Sequence, residues 1–152
     1  TGTFGKSFGS GGAFIACNSK IGEYLIQTSG AFRYTTALSP ALAGGALKSL
    51  QKIKNNKEWG IDLLIASAKW KKEILQNFNY PVKGDSQILS IIVGPEDKTI
   101  LLQKHLEKNG FLAIAIRPPT VPLNESRIRL TIRRDLNLDI LENFIAVLKA
   151  FK

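Results

Sequence analysis

Cysteine and histidine are scarce in this sequence, which has one of each among 152 residues. The lone cysteine, Cys17, cannot form an internal disulfide, which favours a reducing compartment such as the cytoplasm. Because Cys17 follows an apolar segment, we expect it to be a small buried core residue. The lone histidine, His105, has no cysteine, aspartate or second histidine at ligand spacing. We therefore expect His105 to lie at the surface, and we predict no metal site.

Long apolar runs and acidic residues are also rare. No stretch approaches the roughly 20 apolar residues that span a bilayer, and the glycine-rich start does not resemble a signal peptide, so we expect no membrane partner. Hydrophobic residues make up 44% of the chain, enough for a folded core. The excess of basic residues gives a net charge of +9, which leaves a nucleic-acid-binding domain open as an alternative. Because the lysines are scattered without interleaved aromatics, we favour solvated helix faces and expect no nucleic acid partner.

The spacing of apolar residues predicts a mixed α/β fold. Residues 1–40 have the composition of strands and loops, with a helix around residues 21–27. Between residues 42 and 77, apolar residues recur every three or four positions, which predicts helices with a break at Asn55–Lys57. The predicted elements that follow are a strand at 88–93, a helix at 97–109, a strand at 111–116, a proline-rich segment at 117–122, an alternating strand at 127–132 and a closing helix capped by Asn137.

A glycine-rich loop surrounds Lys6 in the segment TFGKSFG, residues 3–9. Its Gly-Lys-Ser sequence suggests a nucleotide-binding loop, but the glycine required five positions earlier is missing. The small residues beside Lys6 permit a flat cofactor ring to approach the backbone, and the Thr3 hydroxyl can donate to a phosphate. From the spacing alone, a cofactor-binding lysine and an ordinary loop lysine both stay open.

Three segments together resemble one enzyme family. They are TFGKSFG with the GGAFIAC that follows it, FRYTTALSP at 32–40, and AIRPPTVP at 115–122 with RIRLT at 127–131. These segments resemble the α-oxoamine synthases, pyridoxal-phosphate enzymes of fold type I that condense an amino acid with an acyl thioester and release carbon dioxide. The last segment most resembles members that use L-alanine and a pimeloyl thioester. Sister synthases that use glycine or serine stay an alternative. Ser39 stands where the family usually has a proline, a departure that leaves the preceding hydroxyl pair intact.

The resemblance implies cofactor roles for four residues. Lys6 would bind pyridoxal phosphate covalently and, once free, take the proton from the α-carbon of the amino acid. Thr3 would contact the cofactor. Thr35 and Thr36 would reach the cofactor phosphate of a partner subunit, which implies a homodimer with active sites at the subunit interface.

The resemblance also implies substrate roles near the end of the chain. Arg129 would bind the amino-acid carboxylate, for which the guanidinium geometry is suited, and Arg127 on the same strand face is the alternative. Thr120, held between prolines, would contact the substrate. Arg117 would bind the acyl or carboxylate end of the thioester, with a structural ion pair as the open alternative. The acyl carrier, coenzyme A or a carrier protein, is left open.

The implied domains are the end of a large cofactor-binding domain at 1–45 and a small α/β domain with an antiparallel-rich sheet at 46–152. In the family, the histidine that stacks on the cofactor ring and the aspartate that pairs with the pyridine nitrogen precede the lysine segment. Neither is identifiable here, so we expect the chain alone to be a fragment that does not complete the reaction. A non-catalytic dimer scaffold is a further open interpretation.

Overall fold

The computed structural model describes residues 1–151, and the chain divides into two compact units, Thr1–Lys57 and Glu58–Lys152. The division falls at the helix break that the sequence predicts around Asn55–Lys57. The domain boundary expected after residue 45 lies within the helix Pro40–Asn55, and the two compact units divide after Lys57.

The N-terminal unit consists of a short hairpin and three helices. The elements are β1 (Gly2–Thr3), β2 (Ala13–Phe14), α1 (Ser19–Thr28), α2 (Gly30–Arg33) and α3 (Pro40–Asn55). The two strands pair antiparallel. Asn18 starts α1, because its side-chain oxygen accepts a hydrogen bond from the Ile21 amide at 3.0 Å and so caps a free helix donor. The helix predicted around residues 21–27 is therefore confirmed.

The C-terminal unit combines a four-stranded sheet with three long helices. The elements are α4 (Trp59–Asn77), β3 (Val82–Lys83), β4 (Ile88–Gly94), α5 (Glu96–Lys108), β5 (Ile114–Ile116), β6 (Ser126–Thr131) and α6 (Leu138–Ala150). The strand order is β3-β4-β6-β5, and every neighbouring pair is antiparallel, as the sequence predicts. Asn137 caps α6 through a 3.0 Å hydrogen bond from the Ile140 amide, which confirms that prediction.

The core of the C-terminal unit lies on one face of this sheet. In β6, Ile128 and Leu130 are buried while Arg129 between them is exposed, which is the alternation predicted from a period of two. Leu89, Ile91 and Val93 of β4, Leu102 and Leu106 of α5, and Leu141 and Leu148 of α6 join the same buried cluster. Trp70 of α4 packs against Phe144 of α6 with ring centroids 5.3 Å apart. The alternate residues of β6 lie on the opposite sheet face, where Arg127 is half-buried and Arg129 and Thr131 are exposed.

The strand predicted at 111–116 is shorter than expected. It begins at Ile114, because the Phe111 amide donates to the Leu106 carbonyl at the end of α5 and so belongs to the helix terminus. The ring of Phe111 packs edge-on against Phe144, with centroids 5.1 Å apart. The predicted helix stop at Asn109-Gly110 is confirmed, and Gly110 has the positive φ of +85° that favours glycine.

Two expectations about single residues are wrong. Cys17 is exposed, because it lies in the segment between β2 and α1 rather than in the apolar interior. His105 is half-buried rather than a surface residue, and its Nε2 lies 2.9 Å from the Val147 carbonyl oxygen. Since a carbonyl only accepts, Nε2 carries the hydrogen and the ring ties α5 to α6.

The helices predicted between residues 42 and 77 form, but most of the apolar stripes of that prediction are exposed. Of the stripe predicted on α3, only Ala46 is buried. On α4 the buried residues are Ser67, Trp70 and Ile74, whereas Ile61 and the neighbouring Leu64 and Ile65 are exposed. Ser67 is accommodated in the interior because its hydroxyl donates to the Ser86 carbonyl at 2.6 Å. None of the helices in the described residues has both the length and the apolar character of a membrane span.

Candidate functional site

Lys6 lies in the loop that joins β1 to β2. Hydrogen bonds of 2.9 Å from the Phe4 amide to the Gly12 carbonyl and from the Ser10 amide to the Phe4 carbonyl close this loop. Lys6 also begins a tight turn, since the Gly9 amide donates to its carbonyl at 2.9 Å. Gly9 has a φ of +58°, a left-handed conformation that favours glycine. The Lys6 side chain is therefore presented from a hydrogen-bonded loop, and it is exposed.

The surroundings of Lys6 fit a flat cofactor that reacts with an amine. Among the described residues Lys6 has no ion pair, and Glu23 is the sole acidic residue between positions 1 and 57. Apart from its chain neighbours, a Cβ built on Gly5 would meet one atom within 4 Å, the Ser10 carbonyl oxygen at 3.8 Å, so the backbone beside the lysine is not crowded. Thr3, also exposed, adds a hydroxyl at the end of β1. An available amine and a nearby hydroxyl are two of the groups that a pyridoxal phosphate site uses.

Thr35 and Thr36 follow α2 and differ in their hydrogen bonds. The Thr35 hydroxyl donates to the Ala31 carbonyl, so its proton is engaged inside the N-terminal unit. The Thr36 side chain is exposed and has no hydrogen bond to any other described residue. Because a phosphate needs donors, the structure favours Thr36 over Thr35 as the hydroxyl that can donate to an external ligand.

Arg127 and Arg129 share the face of β6 that points away from the core, and within the described part of the chain Arg127 alone of the two has a side-chain partner. Arg127 Nη2 lies 3.0 Å from Glu125 Oε2, and its Nε donates to the Glu125 carbonyl at 3.0 Å. Arg129 is exposed and has no ion pair or side-chain hydrogen bond among the described residues. It stands opposite Ser90 of β4 and Ile114 of β5 in the sheet register. The available guanidinium on this face therefore belongs to Arg129.

The proline-rich segment forms the turn that contains Thr120. The Thr120 amide donates to the Arg117 carbonyl at 3.0 Å, the Pro118-Pro119 bond is cis, and the segment is non-helical as predicted. Arg117 Nη1 lies 2.6 Å from Glu96 Oε1, so the ion pair held open as an alternative is present. The side chains are 45% and 49% exposed, so solvent reaches the pair and a competing anion has access to Arg117.

The predicted site residues are distributed over both units. The N-terminal unit contains Thr3, Lys6, Thr35 and Thr36, and the C-terminal unit contains Arg117, Thr120 and Arg129. The C-terminal unit has a groove of about 590 Å³, whose lining includes Trp70, Asn109, Leu130, Arg133 and Phe144. Arg117 and Arg129 do not line it.

Sequence reasoning missed the acidic partners of the two arginines and the two serines that join the lysine loop to α3. Glu125 lies two positions before Arg127, so their proximity in sequence is a signal that was available. Glu96 is far from Arg117 in sequence and gave no such signal. Ser10 and Ser49 form hydrogen bonds between residues 32 and 41 positions apart, which no local pattern indicates.

Comparisons with known proteins agree on a family. The chain matches the family model described as Aminotransferase class I and II over residues 1–148. An 8-amino-7-oxononanoate synthase from Aliivibrio fischeri (strain MJ11) is 38% identical over 130 residues, which cover 86% of this chain and 34% of the relative. The chain thus spans about a third of the length of the curated relatives that it matches.

Solved structures share the fold. Serine palmitoyltransferase from Sphingomonas wittichii has a TM-score of 0.88 at 21% identity, covering 98% of this chain and 38% of that one. An 8-amino-7-oxononanoate synthase from Francisella tularensis has a TM-score of 0.82 at 24% identity, covering 97% of this chain and 43% of that one. A further serine palmitoyltransferase structure of this fold contains pyridoxal phosphate. The predicted aminotransferase-like α/β fold is therefore confirmed.

Proposed function

Because this chain belongs to the class I and II aminotransferase family, whose cofactor is pyridoxal phosphate, we propose that Lys6 carries that cofactor in an acyltransferase of the 8-amino-7-oxononanoate synthase type. The proposed reaction condenses L-alanine with a pimeloyl thioester, releases carbon dioxide and belongs to biotin biosynthesis in the cytoplasm. The observation that carries the proposal is the exposed Lys6 in its hydrogen-bonded glycine-rich loop, with no acidic partner among the described residues.

The residues of the N-terminal unit hold the cofactor and move one proton. Bound pyridoxal phosphate would supply an electron sink that weakens the bond between the α-carbon of the amino acid and its hydrogen. Lys6 Nζ would hold the cofactor covalently and, when free, would accept the α-proton of the amino acid. The Thr3 and Thr36 hydroxyls donate to the phosphate, and Thr36 does so across the interface of a homodimer. Thr35, bonded to Ala31, is the weaker phosphate donor in this proposal.

The residues of the C-terminal unit bind and orient the substrates. Arg129 binds the carboxylate of L-alanine through paired, charge-assisted hydrogen bonds, and its lack of an internal partner among the described residues supports this role. Thr120 contacts substrate from its turn. Arg117 binds an anionic group of the thioester substrate, which replaces Glu96 as the ion-pair partner of its guanidinium. We assign the N-terminal unit to the end of the large domain and the C-terminal unit to the small domain.

A substrate comparison on the complete protein tests this proposal. The protein is supplied with pyridoxal phosphate, L-alanine and either pimeloyl coenzyme A or a pimeloyl carrier protein, and the released thiol and carbon dioxide are both measured. We expect L-alanine to drive release of both products in equal amounts. Glycine and L-serine should be poor substrates. The proposed reaction would be contradicted if neither pimeloyl coenzyme A nor the pimeloyl carrier protein gave turnover.

A sister synthase is the second candidate, because the fold is shared with serine palmitoyltransferase at a TM-score of 0.88. This candidate, which includes enzymes of the glycine C-acetyltransferase type, predicts faster turnover with glycine or serine and a different acyl thioester. The same product assay, with acetyl and palmitoyl coenzyme A as alternative donors, separates the two candidates. Preference for L-alanine and the pimeloyl group supports the first.

A further inference from the structure

Helix α3 is attached to the Lys6 loop by two side-chain hydroxyls. Ser49 of α3 donates to the Phe8 carbonyl at 2.7 Å, and the bond is partly buried. Ser10 of the loop donates in the opposite direction, to the Leu42 carbonyl of α3, at 2.6 Å. Phe8 belongs to the tight turn that begins at Lys6, so the Ser49 hydroxyl holds a backbone carbonyl two residues after the lysine.

Close packing between loop and helix supports these two hydrogen bonds. A Cβ on Gly11 would lie 3.1 Å from a methyl carbon of Leu42, and one on Gly12 would lie 3.0 Å from a methyl carbon of Leu38. Gly12 also has a φ of +94°, which disfavours side chains. The far side of the loop therefore packs against Leu42 of α3 and against Leu38 just before that helix, whereas the Phe8 carbonyl in the Lys6 turn accepts a hydrogen bond from Ser49.

We propose that Ser49 is a positioning residue for Lys6, an inference that rests on the proposed function. The lysine must place its amine against the cofactor aldehyde and later against the α-hydrogen of the substrate. Without the Ser49 hydroxyl, the Phe8 carbonyl loses its side-chain donor, and the peptide that carries it keeps only the hydrogen bond from its Gly9 amide to the Lys6 carbonyl. A displacement of about 1 Å at a reacting group can slow a reaction by about a hundredfold. Ser49 acts through the backbone of the turn and contacts no reacting atom itself.

The test compares Ser49→Ala with a matched control in the complete protein. Ser67→Ala removes a hydroxyl-to-carbonyl bond of 2.6 Å in the C-terminal unit, where Ser67 is 2% exposed, and therefore reports the general cost of losing such a bond. The first readout uses no substrate. Pyridoxal phosphate is added, samples are reduced with borohydride at successive times, and the modified Lys6 peptide is measured by mass spectrometry.

We expect Ser49→Ala to slow Lys6 labelling and to lower kcat, each by about tenfold, while KM for L-alanine changes by less than about twofold. Ser49→Thr, which keeps the γ-hydroxyl, should restore most of both rates. In Ser67→Ala the rate of Lys6 labelling and kcat should stay at the wild-type level. Wild-type labelling in Ser49→Ala, or equal losses in Ser49→Ala and Ser67→Ala, would overturn the positioning role. If the wild-type protein gives no Lys6 adduct, the proposed function fails and this inference fails with it.

Discussion

Arg129 offers the sharpest test of substrate binding, because the chain contains its own control two positions earlier. We expect Arg129→Gln to weaken the binding of L-alanine to the cofactor-loaded, complete protein by about 10- to 150-fold. Hydrogen bonds to charged groups contribute about 1.5 to 3 kcal/mol, and about 1.4 kcal/mol corresponds to a factor of ten. Because Arg129 has no intramolecular partner among the described residues, its replacement breaks no ion pair within them.

Arg127→Gln is the matched control. It makes the same change of charge on the same strand face, but it removes a 3.0 Å pair with Glu125 instead of a ligand contact. Partly exposed ion pairs contribute about 0 to 1 kcal/mol, so we expect L-alanine affinity to change by no more than about fivefold.

The assay is the change in cofactor absorbance on addition of L-alanine or ethylamine, which lacks the carboxylate. In the wild type, L-alanine should bind more tightly than ethylamine. In Arg129→Gln that advantage should be largely lost, while ethylamine affinity stays the same. Equal weakening of both ligands, or a larger effect from Arg127→Gln, would refute the assignment of the carboxylate to Arg129.

Three further predictions concern the C-terminal unit, and the first two are measured by urea unfolding of the complete protein. Gly84→Ala should lower the free energy of unfolding by at least about 2 kcal/mol, because Gly84 has a φ of +115° and its added Cβ would lie 2.3 Å from the Ile88 carbonyl oxygen. Gly60→Ala is the control and should not destabilise the protein, because a Cβ on Gly60 would meet no atom within 4 Å. Asn137→Ala should lower the free energy of unfolding by about 1 kcal/mol, because it removes the side chain that caps α6. Lys71 lowers the pKa of Asp85 by hydrogen bonding and charge, so Lys71→Met should raise that pKa in an NMR titration. Since the pKa of Asp85 is lowered in the folded state, any stabilisation of the fold by the Lys71–Asp85 pair is present above the ordinary pKa of an aspartate. It is lost as the pH falls through the pKa of the folded state.

Local chemistry explains which parts of the fold the sequence predicts. Strand β6 alternates because each successive side chain points to the opposite sheet face, and the burial of Ile128 follows from that period. Asn137 and Gly110 mark helix ends through one hydrogen bond and one left-handed residue, both properties of the residue itself. These features were predictable because no distant residue decides them.

Other features depend on partners that are distant in sequence. His105 is half-buried because it meets the carbonyl of Val147 on another helix. The buried face of α4 includes Ser67, which periodicity of apolar residues would assign to solvent. Likewise, the sequence could identify both arginines of β6 as candidates, but only the Glu125 contact of Arg127 distinguishes them. Tertiary contacts therefore decided which of several suitable residues is available to a ligand.

Borohydride reduction of the complete, cofactor-loaded protein, followed by peptide mass spectrometry, tests the role of Lys6 most directly. Reduction converts the link between cofactor and lysine into a stable phosphopyridoxyl adduct. We expect this adduct on the peptide that contains Lys6, and its loss in Lys6→Ala. An adduct confined to another lysine, or no adduct on any peptide, would contradict the assignment of Lys6 as the cofactor-binding residue.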